Sequence, residues 1–277
     1  MPMKSAPFAG RVEFRAGFSP RPGITDVLFD FDGTLSLIRE GWPAVMAPMF
    51  AEMLPPLAGE SEEARRQLCL DDIMRLNGKQ TIYQMIQLAA RIQERGGVPR
   101  EPLWYKHEYL RRLEKRIAHR IEALRSGTVN KDDFLVFGAR ALLEMLRDRG
   151  LFLCLASGTD EDRMKAEAEL LDLTQYFGGR IYGALDDYKR FSKKMVIERL
   201  LNSIPGEQLL SFGDGYVEIQ NTKEAGGLAV AVATDEARNG SGCFDEWKRQ
   251  RLLQVGADVV VPDYRDAAAL LECIFGT

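Results

Sequence analysis

The sequence predicts an α/β protein in which helices cover both faces of a parallel sheet, with an all-helical segment inserted near its start. After residue 127, short apolar runs alternate with helical patterns, as in parallel sheets that are buried on both faces. From about residue 37 to 126, apolar residues recur at helical spacing and no strand-like run stands out. At about 150 residues per domain, 277 residues allow two domains or one large one.

The composition excludes several classes of protein. Apolar residues make up 45% of the chain and charged residues 28%, which is ordinary for a globular protein and excludes disorder as its main state. With a net charge of −4 the chain has no strongly basic footprint, so we do not expect nucleic acid as its partner. The four cysteines are far apart and lack metal-ligand spacing, which favours reduced thiols over disulfides or a zinc site.

The first 23 residues contain several prolines and no continuous apolar stretch of the kind a signal peptide has. We interpret them as an extended arm with a short strand around residues 11–14. No apolar run in the sequence approaches the about 18 residues that a membrane-spanning helix needs. We therefore expect a cytoplasmic protein that does not bind a membrane.

The first core strand is predicted over residues 25–31, TDVLFDF. It ends in Asp30 and Asp32, and Gly33 and Thr34 follow as a turn. Two carboxylates two residues apart project toward the same side if the backbone stays extended. A polar turn without a catalytic role would have the same pattern, because Asp and Gly are turn formers.

The later elements alternate regularly along the chain. Strands are predicted over residues 151–156, 180–184, 209–212, 227–233 and 257–261, and helices over residues 132–149, 160–171, 192–201, 218–225 and 264–275.

Polar residues follow two of these strands. Ser157 and Gly158 come after the strand at 151–156 and suit either an anion site or a helix cap. Asp214 and Glu218 come after the strand at 209–212, where they could instead cap the next helix.

These strand ends should meet at one edge of the sheet, where parallel α/β sheets bind their ligands. Carboxylates gathered there repel one another unless a cation lies among them. Oxygen ligands without a His or Cys cluster favour a hard ion, above all Mg²⁺. A hydroxyl, backbone donors and a lysine suit a phosphoryl group, and an Asp carboxylate can attack phosphorus as a nucleophile.

The ordered motifs resemble those of the haloacid dehalogenase-like (HAD) superfamily. They are DFDGT at residues 30–34, Ser157, a lysine near Lys193 and GDGYVE at residues 213–218. The resemblance covers about residues 26–275 and implies a Rossmann-like core with an inserted helical cap of the C1 type. It implies a core made of residues 1–38 and 127–277, and a cap made of residues 39–126.

The resemblance also implies roles for the acidic residues. Asp30 would be the nucleophile that becomes phosphorylated, and Asp32 the general acid and then the general base. The Asp30 carboxylate, the Asp32 carbonyl and Asp214 would hold Mg²⁺. Glu218 would lie beside the ion, at a position where many relatives have Asp.

The phosphoryl group would be bound by Ser157, by the lysine and by backbone donors of Gly33, Thr34 and Gly158. Three residues compete for the lysine position, and its spacing to Asp214 favours Lys193 over Lys189 and Lys194.

In the predicted cap, Arg75 and Lys79 lie in a polar, glycine-containing break between helices. It resembles the cap loop that reaches the active site in related phosphatases and phosphomutases, although exposed turn residues would look the same. Arg39, Glu40 and Trp42 follow the first motif, where we expect a hinge and pocket-lining residues.

The implied function is a Mg²⁺-dependent phosphatase acting on a small phosphomonoester, such as a sugar phosphate or a phosphoglycolate-like metabolite. A β-phosphoglucomutase-like sugar phosphomutase would share nearly all these residues. A non-catalytic binding module of the same fold is the third alternative. The expected partner is a small phosphorylated metabolite, and the protein would be a monomer or a homodimer.

Overall fold

The computed structural model describes residues 11–277, so the first part of the predicted N-terminal arm lies outside the described residues. Within them, seven strands form one sheet. The strands are β1 (Glu13–Phe14), β2 (Asp26–Phe29), β3 (Phe152–Asp160), β4 (Ile181–Ala184), β5 (Leu209–Gly213), β6 (Leu228–Val232) and β7 (Val259–Val261).

Eleven α-helices occur in the same described range. They are α1 (Pro43–Met53), α2 (Glu62–Arg75), α3 (Thr81–Glu94), α4 (Pro102–Ser126), α5 (Ala139–Asp148), α6 (Glu161–Leu170), α7 (Thr174–Phe177), α8 (Lys193–Leu201), α9 (Tyr216–Glu224), α10 (Glu246–Gln254) and α11 (Ala267–Phe275). None of the described helices has the length and hydropathy needed to cross a bilayer.

The sheet has the order β1-β7-β6-β5-β2-β3-β4, with β2 between β5 and β3. Phe29 of β2 pairs with Leu155 of β3 on one side and with Phe212 of β5 on the other, both in parallel. The residues that follow these three strands therefore meet at one edge. β1 is the antiparallel exception, pairing with β7 at the rim.

Both faces of the sheet are buried by helices, as the continuous apolar strands predict. Along β2, Val27 and Phe29 belong to one hydrophobic cluster, and Leu28 belongs to the cluster on the opposite face. Phe29 also stacks on Phe212, with ring centroids 4.9 Å apart. The predicted fold class is confirmed.

Helices α1 to α4 account for the regular structure between Pro43 and Ser126, and no strand is described there. α4 ends at Gly127, whose φ of 68° is the left-handed conformation that favours glycine at a helix end. The all-helical character of this segment is as predicted. The proposed boundaries of core and cap stay a prediction.

Two local expectations were wrong. The helix predicted from residue 132 begins only at Ala139, because Leu135 forms a bridge to Ser36 and Val136 donates to the Leu35 carbonyl. Ser157 is not at a helix start, because β3 continues to Asp160, which pairs with Ala184. The helix-cap interpretation of Ser157 is therefore excluded.

Candidate active site

Polar residues at the carboxyl ends of β2, β3 and β5 line one cavity of about 80 Å³. It lies between the carboxyl edge of the sheet and residues of the helical segment. We call its sheet side the floor, which consists of Asp30, Asp32, Ser157, Lys193 and Asp214. Four of the five floor residues lie at strand ends, as predicted, and Lys193, at the start of α8, joins them.

Lys193 neutralises two buried carboxylates. Its Nζ lies 2.8 Å from Asp30 Oδ2 and 2.9 Å from Glu218 Oε2. Burial alone would lower the pKa of this ammonium, but Asp30 and Glu218 outweigh it and hold that pKa above its ordinary value. Lys189 and Lys194 are exposed, so the geometry favours Lys193 among the three candidates.

Asp30 lies directly after β2, and its Oδ1 accepts a hydrogen bond from the Phe31 N–H at 2.8 Å. Burial raises the pKa of Asp30 well above its ordinary value, although Lys193 opposes the shift. A carboxylate so poorly hydrated needs positive charge nearby to stay ionised, as a nucleophile must.

Asp32 is oriented by a network that the motifs alone do not reveal. Its Oδ2 accepts a hydrogen bond from Thr159 Oγ1 at 2.7 Å, and its Oδ1 lies 3.6 Å from Arg39 Nε. Arg39 is in turn held by Glu167 at 2.7 Å. Burial raises the pKa of Asp32, with Arg39 opposing the shift, and a raised pKa favours the protonated form that a general acid needs.

The predicted phosphate-binding residues differ in whether they line the cavity and whether their N–H groups are free to bind a phosphoryl group. Gly33, Ser157 and Gly158 line the cavity. However, the N–H of Gly33 donates to the Ser36 carbonyl and that of Thr34 to the Phe31 carbonyl. These two donors are already used within the turn, which contradicts the expectation that they bind the phosphoryl group.

Thr34 instead joins the loops that follow β2 and β5. Its Oγ1 accepts a hydrogen bond from the Asp214 N–H at 3.0 Å, and its carbonyl accepts one from the Tyr264 hydroxyl at 2.8 Å. The residue is fully buried and lies outside the cavity lining. Its observed contacts are structural.

Three carboxylates could share one metal ion. One ligand oxygen from each of Asp30, Asp214 and Glu218 lies within 4.8 Å of the others. Glu218 also accepts a hydrogen bond from the Gly215 N–H at 2.6 Å, which caps α9. The longer Glu side chain therefore still reaches the group, and the cap and metal interpretations of Glu218 are compatible. Asp32 contributes no carboxylate oxygen to this group.

Lys248 and Glu236 belong to the same site and lie outside every motif. Lys248 Nζ is 2.9 Å from Asp214 Oδ2 and 2.6 Å from Glu236 Oε1, and Glu236 lines the cavity. Glu236 follows β6, so the rule that polar residues after strands face the site would have found it. Lys248, on α10, has no such local signal.

The helical segment contributes the opposite wall of the cavity. Asn77, Gly78 and Lys79 line it, and all three lie in the loop at residues 76–80 between α2 and α3. Arg75, the other predicted substrate contact, lies outside the lining: its side chain is 57% exposed and pairs with Asp72 at 3.0 Å. Arg75 is the last residue of α2, and its side chain contacts Asp72 of the same helix instead of the cavity.

The loop approaches the floor backbone to backbone. A Cβ on Gly78 would lie 2.9 Å from Gly215 Cα, and one on Gly158 would lie 2.9 Å from the Lys79 carbonyl oxygen. Glycines at these positions let the loop come close. The residues expected to line the pocket after the first motif, Arg39, Glu40 and Trp42, all do so.

The family model of haloacid dehalogenase-like hydrolases matches residues 26–226, which is more than half of the chain. The protein belongs to this family. As a haloacid dehalogenase-like hydrolase it is an enzyme of the hydrolase class, and the motifs identified from the sequence lie within the matched residues. A comparison with curated proteins finds no match.

Solved structures share the fold of this hydrolase. A haloacid dehalogenase-like protein from Agrobacterium tumefaciens is 18% identical with a TM-score of 0.57, the match covering 90% of this chain and 97% of that one. A predicted phosphoglycolate phosphatase from Haemophilus somnus is 15% identical with a TM-score of 0.57, covering 90% and 98%. A HAD hydrolase from Bacillus subtilis bound to magnesium is 14% identical with a TM-score of 0.53, covering 90% and 99%. At such identities the likeness concerns the fold.

Proposed function

We propose that this hydrolase is a phosphatase that cleaves a small phosphomonoester through a phosphoaspartate on Asp30. The observation that carries the proposal is the meeting of Asp30, Asp32, Ser157 and Lys193 on the floor of one cavity. A dehalogenase has no leaving group that needs a proton, so the retained and oriented Asp32 favours phosphoryl chemistry.

In the first half-reaction, an Asp30 carboxylate oxygen attacks phosphorus and the bond from phosphorus to the ester oxygen breaks. Asp32, held by Thr159 at 2.7 Å, donates its proton to the departing alcohol. In the second half-reaction, Asp32 takes a proton from water, which attacks phosphorus. Inorganic phosphate leaves and Asp30 is regenerated.

Lys193 and Ser157 support both half-reactions. The Lys193 ammonium lies against the nucleophile and offsets negative charge as it moves onto the phosphoryl oxygens. The Ser157 hydroxyl accepts a hydrogen bond from the Thr159 N–H at 3.1 Å, which leaves its own proton available for a phosphoryl oxygen. Both groups are buried, so their interactions with the phosphoryl group are little screened by water.

The residues of the floor fit a magnesium ion. With Glu218 and Glu236 added to the three carboxylates of the floor, five buried or half-buried carboxylates lie around two ammonium groups, those of Lys193 and Lys248. Such an excess of negative oxygen donors suits a hard divalent cation. Asp30 and Asp214 would hold the ion, with Glu218 beside them. When bound, it supplies positive charge to the phosphoryl oxygens.

The dimensions of the cavity favour a small metabolite. Its volume of about 80 Å³ is well below the about 300–1,000 Å³ of sites for drug-sized ligands. The 76–80 loop further limits the space next to the phosphoryl position. A sugar phosphate or a phosphoglycolate-like compound has the right scale, and one protein of the same fold is described as a predicted phosphoglycolate phosphatase.

The test is phosphate release from a panel of small phosphomonoesters, measured with Mg²⁺ and again with a chelator in its place. We expect release from at least one ester, and its loss on chelation. Absence of release across the panel at high enzyme concentration would contradict the proposal. Conversion of a hexose 1-phosphate in the presence of its bisphosphate, without release of phosphate, would instead select a phosphomutase.

A further inference from the structure

A second buried ammonium group lies beside the carboxylates that would hold the ion. Lys248 Nζ contacts Asp214 Oδ2 at 2.9 Å and Glu236 Oε1 at 2.6 Å, and the Lys248 side chain is 7% exposed. A lysine buried to this extent has lost most of its hydration, so its charge depends on these two partners. Lys248 is therefore a fixed part of the site and not a mobile surface charge.

The fold positions this lysine from two directions. Asp245 caps α10 by accepting a hydrogen bond from the Lys248 N–H at 3.0 Å, and its own N–H donates to the Ala233 carbonyl at the end of β6. Glu236 comes from the short 3-10 helix that follows the same strand. A Cβ on Gly33 would lie 3.0 Å from Glu236 Oε1, so the glycine of the first motif makes room for this pair.

Asp214 thus faces two kinds of cation. Lys248 holds one of its oxygens, Oδ2, and so restricts rotation of the carboxylate. The same positive charge repels a divalent ion at the neighbouring carboxylates, while Glu236 offsets part of that repulsion. Lys248 therefore has two opposite effects on the site. It fixes the orientation of the Asp214 carboxylate, and it lowers the affinity of the carboxylates for the ion.

We propose that Lys248, held by Glu236, is a positioning residue that orients Asp214 for turnover and lowers the affinity of the site for a divalent cation. The inference rests on the proposed function, because it takes Asp214 as a ligand of Mg²⁺. It assigns a role to two residues outside the four sequence motifs.

The test measures Mg²⁺ affinity by calorimetry on the full chain without substrate, and then turnover of the best phosphomonoester. In Lys248→Met we expect Mg²⁺ to bind about tenfold more tightly, because a repelling charge is removed. We expect turnover to fall about 10- to 100-fold, as when a residue that orients a metal ligand is lost. A purely structural lysine would not give tighter binding together with slower turnover.

Two further variants test the effect of charge near Asp214 on Mg²⁺ affinity. Glu236→Gln removes the charge that offsets Lys248, so we expect Mg²⁺ to bind about tenfold more weakly. Lys248→Arg keeps the positive charge and should keep Mg²⁺ affinity near that of the wild type. The control is Lys223→Met, since Lys223 is also paired, with Asp258 at 2.7 Å, but outside the cavity lining. It should change neither quantity.

Weaker or unchanged Mg²⁺ binding in Lys248→Met would overturn the inference. If that variant does not fold, as judged by circular dichroism, unchanged affinity in Glu236→Gln would overturn it equally. Wild-type protein that releases no phosphate from the panel would remove the proposed function and this inference together. Wild-type protein that releases phosphate but binds no Mg²⁺ would remove the inference alone. Binding and turnover in the wild type with no shift in either variant would remove the inference alone.

Discussion

The floor of the cavity and the 76–80 loop opposite it are stabilised by different kinds of interaction. The floor brings buried charges of opposite sign into contact, as where Lys193 lies between Asp30 and Glu218. The loop has close backbone contacts with Gly158 and Gly215, and an arginine of α10 donates hydrogen bonds to carbonyls at the end of α2 and in the loop.

One side chain of α10 contacts both the end of α2 and the loop that follows it. Arg251 on α10 donates to the carbonyls of Met74 at 2.6 Å, Arg75 at 2.8 Å and Asn77 at 3.3 Å. Its guanidinium lies over the rings of Tyr216 at 4.6 Å and Trp247 at 5.0 Å, which orient it. Since carbonyls are present whatever the side chains are, the contact with Arg251 does not depend on which side chains Met74, Arg75 and Asn77 carry.

The comparison implies that changes in the floor act on chemistry and changes at the loop act on substrate binding. Changes in the floor should have large effects on turnover, because water cannot replace a charged group that is lost from a buried site. Changes at the loop should have smaller effects, which appear mainly in KM.

The largest expected effect is that of Asp30→Asn. The amide cannot attack phosphorus, so turnover with Mg²⁺ should fall by about 10³-fold or more. Phosphate release measures the loss, and an unaltered circular dichroism spectrum shows that the fold is kept. Substantial residual activity would mean that another group is the nucleophile.

Asp32→Asn separates the two half-reactions. With an alkyl phosphate, loss of the acid should slow turnover by about 10²- to 10⁴-fold. With p-nitrophenyl phosphate the leaving group needs no proton, so the first half-reaction should proceed and the phosphoaspartate accumulate. A burst of p-nitrophenol, with phosphate on the protein seen by mass spectrometry, is the measurement. Equal slowing of both esters without a burst would contradict the role of Asp32.

At the loop, Arg251→Met should raise KM for the phosphomonoester about three- to tenfold, with a smaller change in kcat. The physical reason is the loss of hydrogen bonds to carbonyls, each worth about 1 kcal/mol. Amide hydrogen exchange in residues 76–80 should become faster. Arg249→Met is the matched control, because Arg249 lies on the same helix but binds Glu13. A fall in kcat at unchanged KM would show that the loop acts on chemistry.

The smallest effects distinguish Arg75 and Lys79, the two residues that the sequence predicts as substrate contacts. Lys79 lines the cavity, so Lys79→Met should raise KM severalfold. Arg75 is exposed and pairs with Asp72, so Arg75→Met should leave KM unchanged and alter the free energy of unfolding by less than about 1 kcal/mol. The reverse order of the two KM values would overturn the assignment of the cavity wall.

Local patterns were sufficient to predict the strands and the residues at their ends. A buried parallel strand has a short apolar run, and the residue after it must lie at the edge of the sheet. For that reason Asp30, Asp32, Ser157 and Asp214 could be named without coordinates, and all four line the cavity. The same rule, applied to β6, would have added Glu236.

Other features depend on which segments fold against each other. Lys248 and Arg251 lie on α10, a helix that the sequence analysis did not predict, and they reach Asp214 and the 76–80 loop across long stretches of chain. The turn at Gly33 and Thr34 uses the N–H groups that were expected to bind phosphate. Neither fact follows from residue type and spacing.

The sequence by itself determined the α/β class, the all-helical character of the segment from about residue 37 to 126 and the acidic residues at the strand ends, because these follow from hydrophobic period and strand direction. Tertiary structure alone decided which lysines neutralise those residues and that Thr34 joins two loops. It also decided that Lys79 reaches the cavity while Arg75 does not. The physical reason is that a buried charge pairs with an oppositely charged group that the fold brings within about 3 Å. That group can come from any part of the sequence.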